Sequence, residues 1–233
     1  MSTIPPISPP ATPGSSEVIY PSSDGRPVGE TPLHRDILFT TIDVLRRHFA
    51  ADQRVYVSGN MLVFYEKGNK RKHVSPDVFV AFGIPRDKVR DQYLVWEEGH
   101  GPEVVLEITS SSTRVEDQEQ KFVLYRDNLN VPEYFLFDPR GEYLDGQLRG
   151  FRLREGRYEP IAAVGGRLPS EVLDLHLEAD REDLRLFDPS TQRRLPTQEE
   201  SKADAESKAA EMQLEIERLR REIEALRRQQ SGG

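Results

Sequence analysis

Glu103-Val104-Val105-Leu106-Glu107-Ile108-Thr109 reads as a strand, and the cluster Ser110-Ser111-Ser112-Thr113 after it leads into a charged helix. Side chains alternate across a strand, so Val104, Leu106 and Ile108 share one face while Val105 and Glu107 share the other. Apart from Glu107 the run is apolar on both faces, the pattern of a strand covered on both sides. From about residue 116 the period changes. Phe122, Leu124, Tyr125 and Leu129 fit a helix to residue 128, Val131-Pro132 ends it, and residues 133–137 return to a strand. Strand, helix and strand with a non-alternating first strand is the signature of a parallel crossover. The expected fold class is therefore α/β.

Glu107 is the anomaly in this unit. An isolated ionised carboxylate among buried neighbours is costly and must be paired, protonated or bound to a cation. A second anomaly lies upstream in Val74-Ser75-Pro76-Asp77-Val78-Phe79-Val80-Ala81-Phe82, where Asp77 stands in another apolar strand expected over residues 74–82. With Lys121 on the crossover helix, these residues form a candidate divalent-metal site. Hard cations such as Mg²⁺ need only one or two protein carboxylates, with waters and substrate phosphate completing their shell. A cation so held lowers the pKa of a bound water and neutralises a phosphodiester. A neighbouring Lys orients that water or helps deprotonate it. Taken singly, Asp77 also reads as a turn residue after Ser-Pro, and Glu107 as a strand-end salt bridge. The two together, followed by Lys121, favour the cation site.

Working outward, residues 1–29 hold seven of the 17 prolines and few apolar side chains, so they are expected to be a disordered leader. Order is expected from Glu30. Thr31 suits an N-cap and Pro32 the first helical position, and Leu33, Ile37, Leu38, Thr41, Leu45 and Phe49 recur at helical spacing to about residue 50. Residues 54–58 and 61–66 flank Gly59-Asn60, a two-residue hairpin signal. Residues 67–72 carry four Lys/Arg in a loop. Residues 93–96 are expected to be a short strand. Residues 143–148, 150–153 and 157–161 look like meander strands, and segments at 172–177 and 184–187 close a domain spanning 30–190.

From residue 197 the composition shifts to Ala, Glu, Lys, Arg and Gln. Ile216 and Ile223 fall at heptad position a, and Met212, Leu219 and Leu226 at d. Ile at a with Leu at d favours a parallel two-stranded coiled coil over residues 197–230. Glu215 and Glu222 at g would then face Arg220 and Arg227 at e of a second copy. The expected assembly is a homodimer.

The net charge of −8 and pI near 5.3 argue against a broad electrostatic grip on nucleic acid. A local basic surface aided by bound cations stays open. Zero cysteines remove disulfides, thiolate zinc sites and Cys nucleophiles together. No run approaches a membrane span and no signal-peptide core is present, so a cytoplasmic, membrane-free protein is expected. Phosphate-loop, dinucleotide-binding, nucleophile-elbow and His-Glu-x-x-His motifs are all absent. The five histidines have no metal-ligand spacing and read as surface or core residues, with His100, in a Gly-rich loop, the only one to test.

Four motifs in order resemble the Uma2 family. They are Ser75-Pro76-Asp77-Val78-Phe79-Val80, Val105-Leu106-Glu107-Ile108-Thr109, Gln120-Lys121-Phe122-Val123-Leu124-Tyr125 and Val131-Pro132-Glu133-Tyr134-Phe135-Leu136-Phe137-Asp138-Pro139. Uma2 is a bacterial endonuclease group within the PD-(D/E)xK restriction-endonuclease-like superfamily. The resemblance covers about residues 30–189. It implies a restriction endonuclease-like core, with a mixed central β-sheet flanked by helices and Mg²⁺ (or Mn²⁺) at the strand ends. Asp77 matches the Asp of the superfamily's Pro-Asp motif and Glu107 its second acidic residue, both as metal ligands, with the main-chain carbonyl of Ile108 as a third. The superfamily's Glu-x-Lys would place Lys at position 109, where this chain has Thr109; Lys121 is the matching lysine of Uma2-like sequences. Glu30 resembles the acidic helix residue that some members add. Gln120 points about 100° away from Lys121 on an ideal helix and is the weaker candidate.

Two functions follow as expectations. The leading one is a Mg²⁺-dependent endonuclease that hydrolyses phosphodiester bonds in nucleic acid, DNA first, with Asp77, Glu107 and Lys121 as its catalytic residues. The rival is a catalytically silent nuclease-fold module that binds or assembles through its C-terminal helix.

Overall fold

The computed structural model describes residues 18–22, 31–110, 115–142 and 144–231. Helix α1 (Pro32–His48) begins at the expected N-cap, with Thr31 Oγ1 accepting from the His34 N–H at 3.2 Å. Glu30 lies outside the described residues, as do Tyr143 and most of the proposed leader. Of the described part of that leader only Tyr20 is packed, 5.0 Å from the Phe64 ring and 5.1 Å from Trp96, while Val18, Ile19, Pro21 and Ser22 are exposed.

A six-stranded sheet forms the centre, in the order β1 (Val55–Ser58), β4 (Val78–Phe82), β6 (Val104–Ile108), β7 (Glu133–Phe137), β8 (Leu148–Arg154), β9 (Arg157–Pro160). Only the β6–β7 pair is parallel, and it is the crossover read from the sequence; the other neighbours are antiparallel. A three-stranded sheet combines β2 (Val63–Phe64), β3 (His73–Val74) and β5 (Tyr93–Leu94). A four-stranded one combines β10 (Leu168–Ser170), β11 (Leu175–Asp180), β12 (Asp183–Asp188) and β13 (Arg193–Arg194).

Strand alternation gives the central sheet two cores. Val78, Val80, Val104, Leu106, Ile108, Phe135 and Phe137 pack with Ile37, Leu38 and Leu45 of α1 and with Leu175, Leu177 and Leu186 of the four-stranded sheet. On the opposite face Phe79, Val105, Tyr134 and Leu136 pack with Val63 and Tyr93 and with Tyr125 of α3 (Phe122–Asp127). Each fully buried Leu, Ile or Phe contributes about 1.5–3 kcal/mol, so β6 and β7, buried at every position, anchor the molecule.

Several local expectations are overturned. Strand β1 does not form a hairpin with β2; it pairs with β4, and β2 pairs with β3 and β5. Gly59 serves a different end, because a Cβ there would collide with the main-chain carbonyl of Asp77. Asn60 takes the left-handed conformation and donates its N–H to the Pro76 carbonyl. The strand expected over 74–82 divides at Ser75-Pro76-Asp77 into β3 and β4, since Pro76 cannot donate to a ladder. After Tyr93-Leu94 the chain coils into a single turn, α2 (Val95–Glu98), rather than extending to residue 96. Residues 148–154 form one strand instead of two. The crossover helix opens as a π-helix (Glu116–Lys121) before continuing as α3.

The last element, α4 (Gln198–Ser231), touches the domain through its first turn, where Arg47 donates to Ser201 and Arg185 pairs with Glu200. Beyond that turn Met212, Ile216, Leu219 and Ile223 are exposed. No helix among the described residues is long and apolar enough to cross a membrane.

Candidate active site

The antiparallel register of β4 and β6 pairs Val78 with Leu106 and Phe79 with Val105. Continued by one residue, it sets Asp77 opposite Glu107, and period-two alternation puts both on the face covered by α3. Opposed residues of this kind have Cβ atoms about 5 Å apart. Each carboxylate is held by the other's strand. Asp77 Oδ2 accepts from the Ile108 N–H at 2.7 Å, and Glu107 Oε2 accepts from the Asp77 N–H at 3.3 Å. Two residues 30 apart in sequence are thus locked side by side.

The crossover helix supplies the remaining partners from one column. Asp117, Lys121 and Tyr125 stand at four-residue steps, and all three side chains meet at Glu107 or at each other. The Lys121 ammonium lies 2.9 Å from Glu107 Oε2 and 3.0 Å from Asp117 Oδ1. Tyr125 donates its hydroxyl to Glu107 Oε1 at 2.5 Å. The Tyr134 hydroxyl donates to the Asp117 carbonyl at 2.9 Å, tying the π-helical turn to β7. π-Turns inside helices often occur at functional sites. On the other side His34 of α1 brings Nε2 to 3.3 Å from Asp77 Oδ1.

These surroundings push the two opposed carboxyls apart. Burial drives Glu107 well above the usual carboxylate range and the charges of Asp77 and Asp117 add to it, against the pull of Lys121. Burial would raise Asp77 too, but the His34 hydrogen bond, the charge of Lys121 and the Ile108 N–H outweigh it and hold Asp77 below its ordinary value. Burial would strip the proton from Lys121; the charges of Glu107, Asp117 and Asp77 reverse this and keep it an ammonium. Pairs of titrating groups separated in this way are typical of acid–base sites.

The residues named from the sequence are therefore placed as follows. Asp77, Glu107 and Lys121 converge on one another. Ile108 enters through its N–H on Asp77. Gln120 is exposed. His100 pairs with Glu103 at 3.1 Å, at the opposite end of β6 from Glu107. Three participants escaped the sequence reading: His34, Asp117 and Tyr125. The signals were present, since Asp117 and Tyr125 flank Lys121 at four-residue steps and His34 lies on the stripe of Leu38, Thr41 and Leu45.

Among the described residues no group of three or more His, Asp or Glu could hold a metal ion. Two carboxylates are instead the donor set of a hard cation that keeps its waters and takes substrate phosphate. A cavity of about 100 Å³ opens next to His34, lined also by Ile108, Thr109, Asp138, Arg140 and Glu142, with neither Asp77 nor Glu107 in its wall. The Thr109 hydroxyl oxygen is buried and has no hydrogen-bond partner among the described residues. Asp77 and Glu107 are of the donor type that such an ion takes, two carboxylates and no more.

The Uma2 family model, described as "Putative restriction endonuclease", matches residues 15–184. Among solved structures, one titled as a "putative nuclease belonging to DUF820" from Anabaena variabilis is similar at 16% sequence identity, over 64% of this chain and 79% of that one, with a TM-score of 0.48. No curated protein matches the chain.

Proposed function

The chain belongs to the Uma2 family, with the α/β core of a restriction endonuclease-like protein and a C-terminal helix, and from that premise we propose that it is a divalent-metal-dependent endonuclease acting on DNA. The observation that carries the proposal is the convergence of Asp77, Glu107 and Lys121 at hydrogen-bond distance.

Asp77 and Glu107, with the Ile108 carbonyl, would hold Mg²⁺ or Mn²⁺. Such an ion, when bound, supplies Lewis acidity to a water and neutralises the scissile phosphate. The protein's part is positional and electrostatic. The reciprocal main-chain bonds keep the two carboxylates side by side. Tyr125 takes up one oxygen of Glu107 and so fixes the direction of the other. Lys121, kept charged by two carboxylates, is suited to donate hydrogen bonds to the attacking water and to a phosphate oxygen, and unsuited to act as a base. Asp117 positions Lys121 without needing to touch substrate.

Purified protein with millimolar Mg²⁺ or Mn²⁺ should nick supercoiled plasmid. Asp77→Ala and Glu107→Ala should each reduce the rate by at least about 100-fold, the scale of losing a preorganised charge from a reaction centre. Equal nicking by all three would mark a contaminant and leave the silent-module reading in its place.

We also propose that α4 pairs in parallel with a second copy, supported by the exposed Met212, Ile216, Leu219 and Ile223 beyond its docked first turn. Sedimentation checks this: the full chain should run as a dimer and a chain ending at residue 196 as a monomer. Identical species would remove α4 as the contact.

A further inference from the structure

We infer that the loop between β2 and β3, residues 65–72, grips the phosphate backbone of a nucleic-acid duplex, with Lys67, Lys70, Arg71 and Lys72 as its contacts. The choice of partner rests on the nuclease reading above, to which this adds a binding surface outside the Asp77–Glu107 site.

Positive charge is gathered here against the trend of the molecule. The net charge is −8, yet three of the five lysines that precede α4 fall within six residues, at positions 67, 70 and 72, with Arg71 between them. The other two, Lys88 and Lys121, are each held by a carboxylate, at 2.7 and 2.9 Å. All four cations of the loop are exposed, and none forms an ion pair among the described residues. Glu66, the one acid of the loop, accepts from the Asn69 side-chain amide at 3.0 Å.

A merely solvated tip needs no fixed backbone, but this one is bonded throughout. The Tyr65 N–H donates to the Lys72 carbonyl, and the Lys72 N–H to the Asn69 carbonyl, both at 3.1 Å. Asn69 Oδ1 accepts from the Arg71 N–H at 3.1 Å. Gly68 takes the left-handed conformation at φ 86° and donates its N–H to the Tyr20 hydroxyl at 2.5 Å. Tyr20 is itself seated against Phe64 and Trp96, so the loop is clipped to the three-stranded sheet and its neighbouring turn. Main-chain and amide groups are satisfied within the loop, and the four cations are left to face outward. A loop already ordered loses little entropy when it binds.

Its position suits a strand cut at the Asp77–Glu107 site. Lys72 precedes Asp77 by five residues, through β3 and Ser75-Pro76, so their Cα atoms are at most about 17 Å apart. A duplex rises about 3.4 Å per base pair, so the loop lies within about five phosphates of the bond to be cut. Lysine meets phosphate as a point charge, and such contacts hold a duplex in place without reading its sequence.

Full-length protein in EDTA is titrated into a labelled DNA duplex of about 20 base pairs between about 50 and 200 mM NaCl, with binding read by fluorescence anisotropy. Wild type should bind. The variant Lys67→Gln/Lys70→Gln/Arg71→Gln/Lys72→Gln should bind at least about tenfold more weakly, and its slope of log K against log salt should be smaller by about 3. Lys202→Gln/Lys208→Gln, two exposed cations of α4, should leave both quantities unchanged. Three results would overturn the grip: no duplex bound by wild type, affinity and slope alike in wild type and the fourfold variant, or an equal loss from the α4 pair. Phosphatidylserine vesicles held by wild type but not by the variant, with no duplex bound, would assign the loop to a membrane surface instead. Plasmid nicking separates this from the nuclease reading. Loop-dependent duplex binding without metal-dependent nicking would remove the enzyme and keep the grip, whereas nicking at one rate and one salt dependence by wild type and variant would do the opposite.

Discussion

Glu107 and Glu133 are both fully buried carboxylates on adjacent parallel strands of one sheet, yet their surroundings differ in kind. Glu133 opens β7 on the face toward the four-stranded sheet. It pairs with Arg152 at 2.9 Å, takes the Ser170 hydroxyl and accepts the Glu171 N–H at 2.9 Å. Arg152 and Arg154 in turn pair with Glu171, so charges balance around it. Glu107 lies at the far end of the neighbouring strand and on the opposite face. It shares Lys121 with Asp117 and has Asp77, itself faced by His34, as a further neighbour, so three carboxyls crowd around one ammonium. A balanced buried network joins two sheets and wants nothing more. One in which carboxyls outnumber their cationic partners is what the proposed divalent ion would complete, and that is how the two can be told apart.

Stability measurements put that distinction at risk. Removing one partner of a buried pair strands the other, at about 3–5 kcal/mol in the fully buried case. Glu133→Gln is therefore expected to lower the unfolding free energy by about 3 kcal/mol in urea, since Arg152 keeps some exposure and its contact with Glu171. Glu107→Gln should cost less than about 1 kcal/mol, because Lys121 retains Asp117 and crowding among the carboxylates is relieved. Nicking per folded molecule should show the reverse order. Equal stability losses would erase the contrast between the clusters.

A third cluster sharpens the comparison with a smaller effect. Hydrogen bonds from Arg90 hold the Glu98 carboxyl down at about 2 against burial, with help from Lys88. A carboxyl lowered by folding stabilises the protein fully above its unfolded value near 4.5, and that gain disappears as pH falls through the folded value of about 2. With Lys88 half in solvent, the contribution is about 2 kcal/mol or less. Glu98→Gln should flatten the stability curve between pH 4.5 and 2 and leave metal-dependent nicking at pH 7 unchanged. An unaltered acid limb would show that the clip is not what holds the segment between β4 and β5.

The amino-acid sequence by itself determined the parallel crossover, the α/β class and the identity of Asp77, Glu107 and Lys121 as charges in apolar company. These follow from short-range rules: alternation in strands, helical spacing, and the cost of burying charge. Gly59-Asn60 shows where such rules fail, because the local hairpin signal there answers a distant demand, the close passage of the Asp77 backbone. Only the tertiary structure decided that β4 runs antiparallel to β6 in the register that opposes Asp77 to Glu107. It alone brought His34 in from the first helix and showed that Thr109 leaves a buried hydroxyl where the superfamily carries lysine. Strand register and helix docking are set by the packing of the whole core, across separations of 30 residues and more, and no nearest-neighbour pattern encodes them.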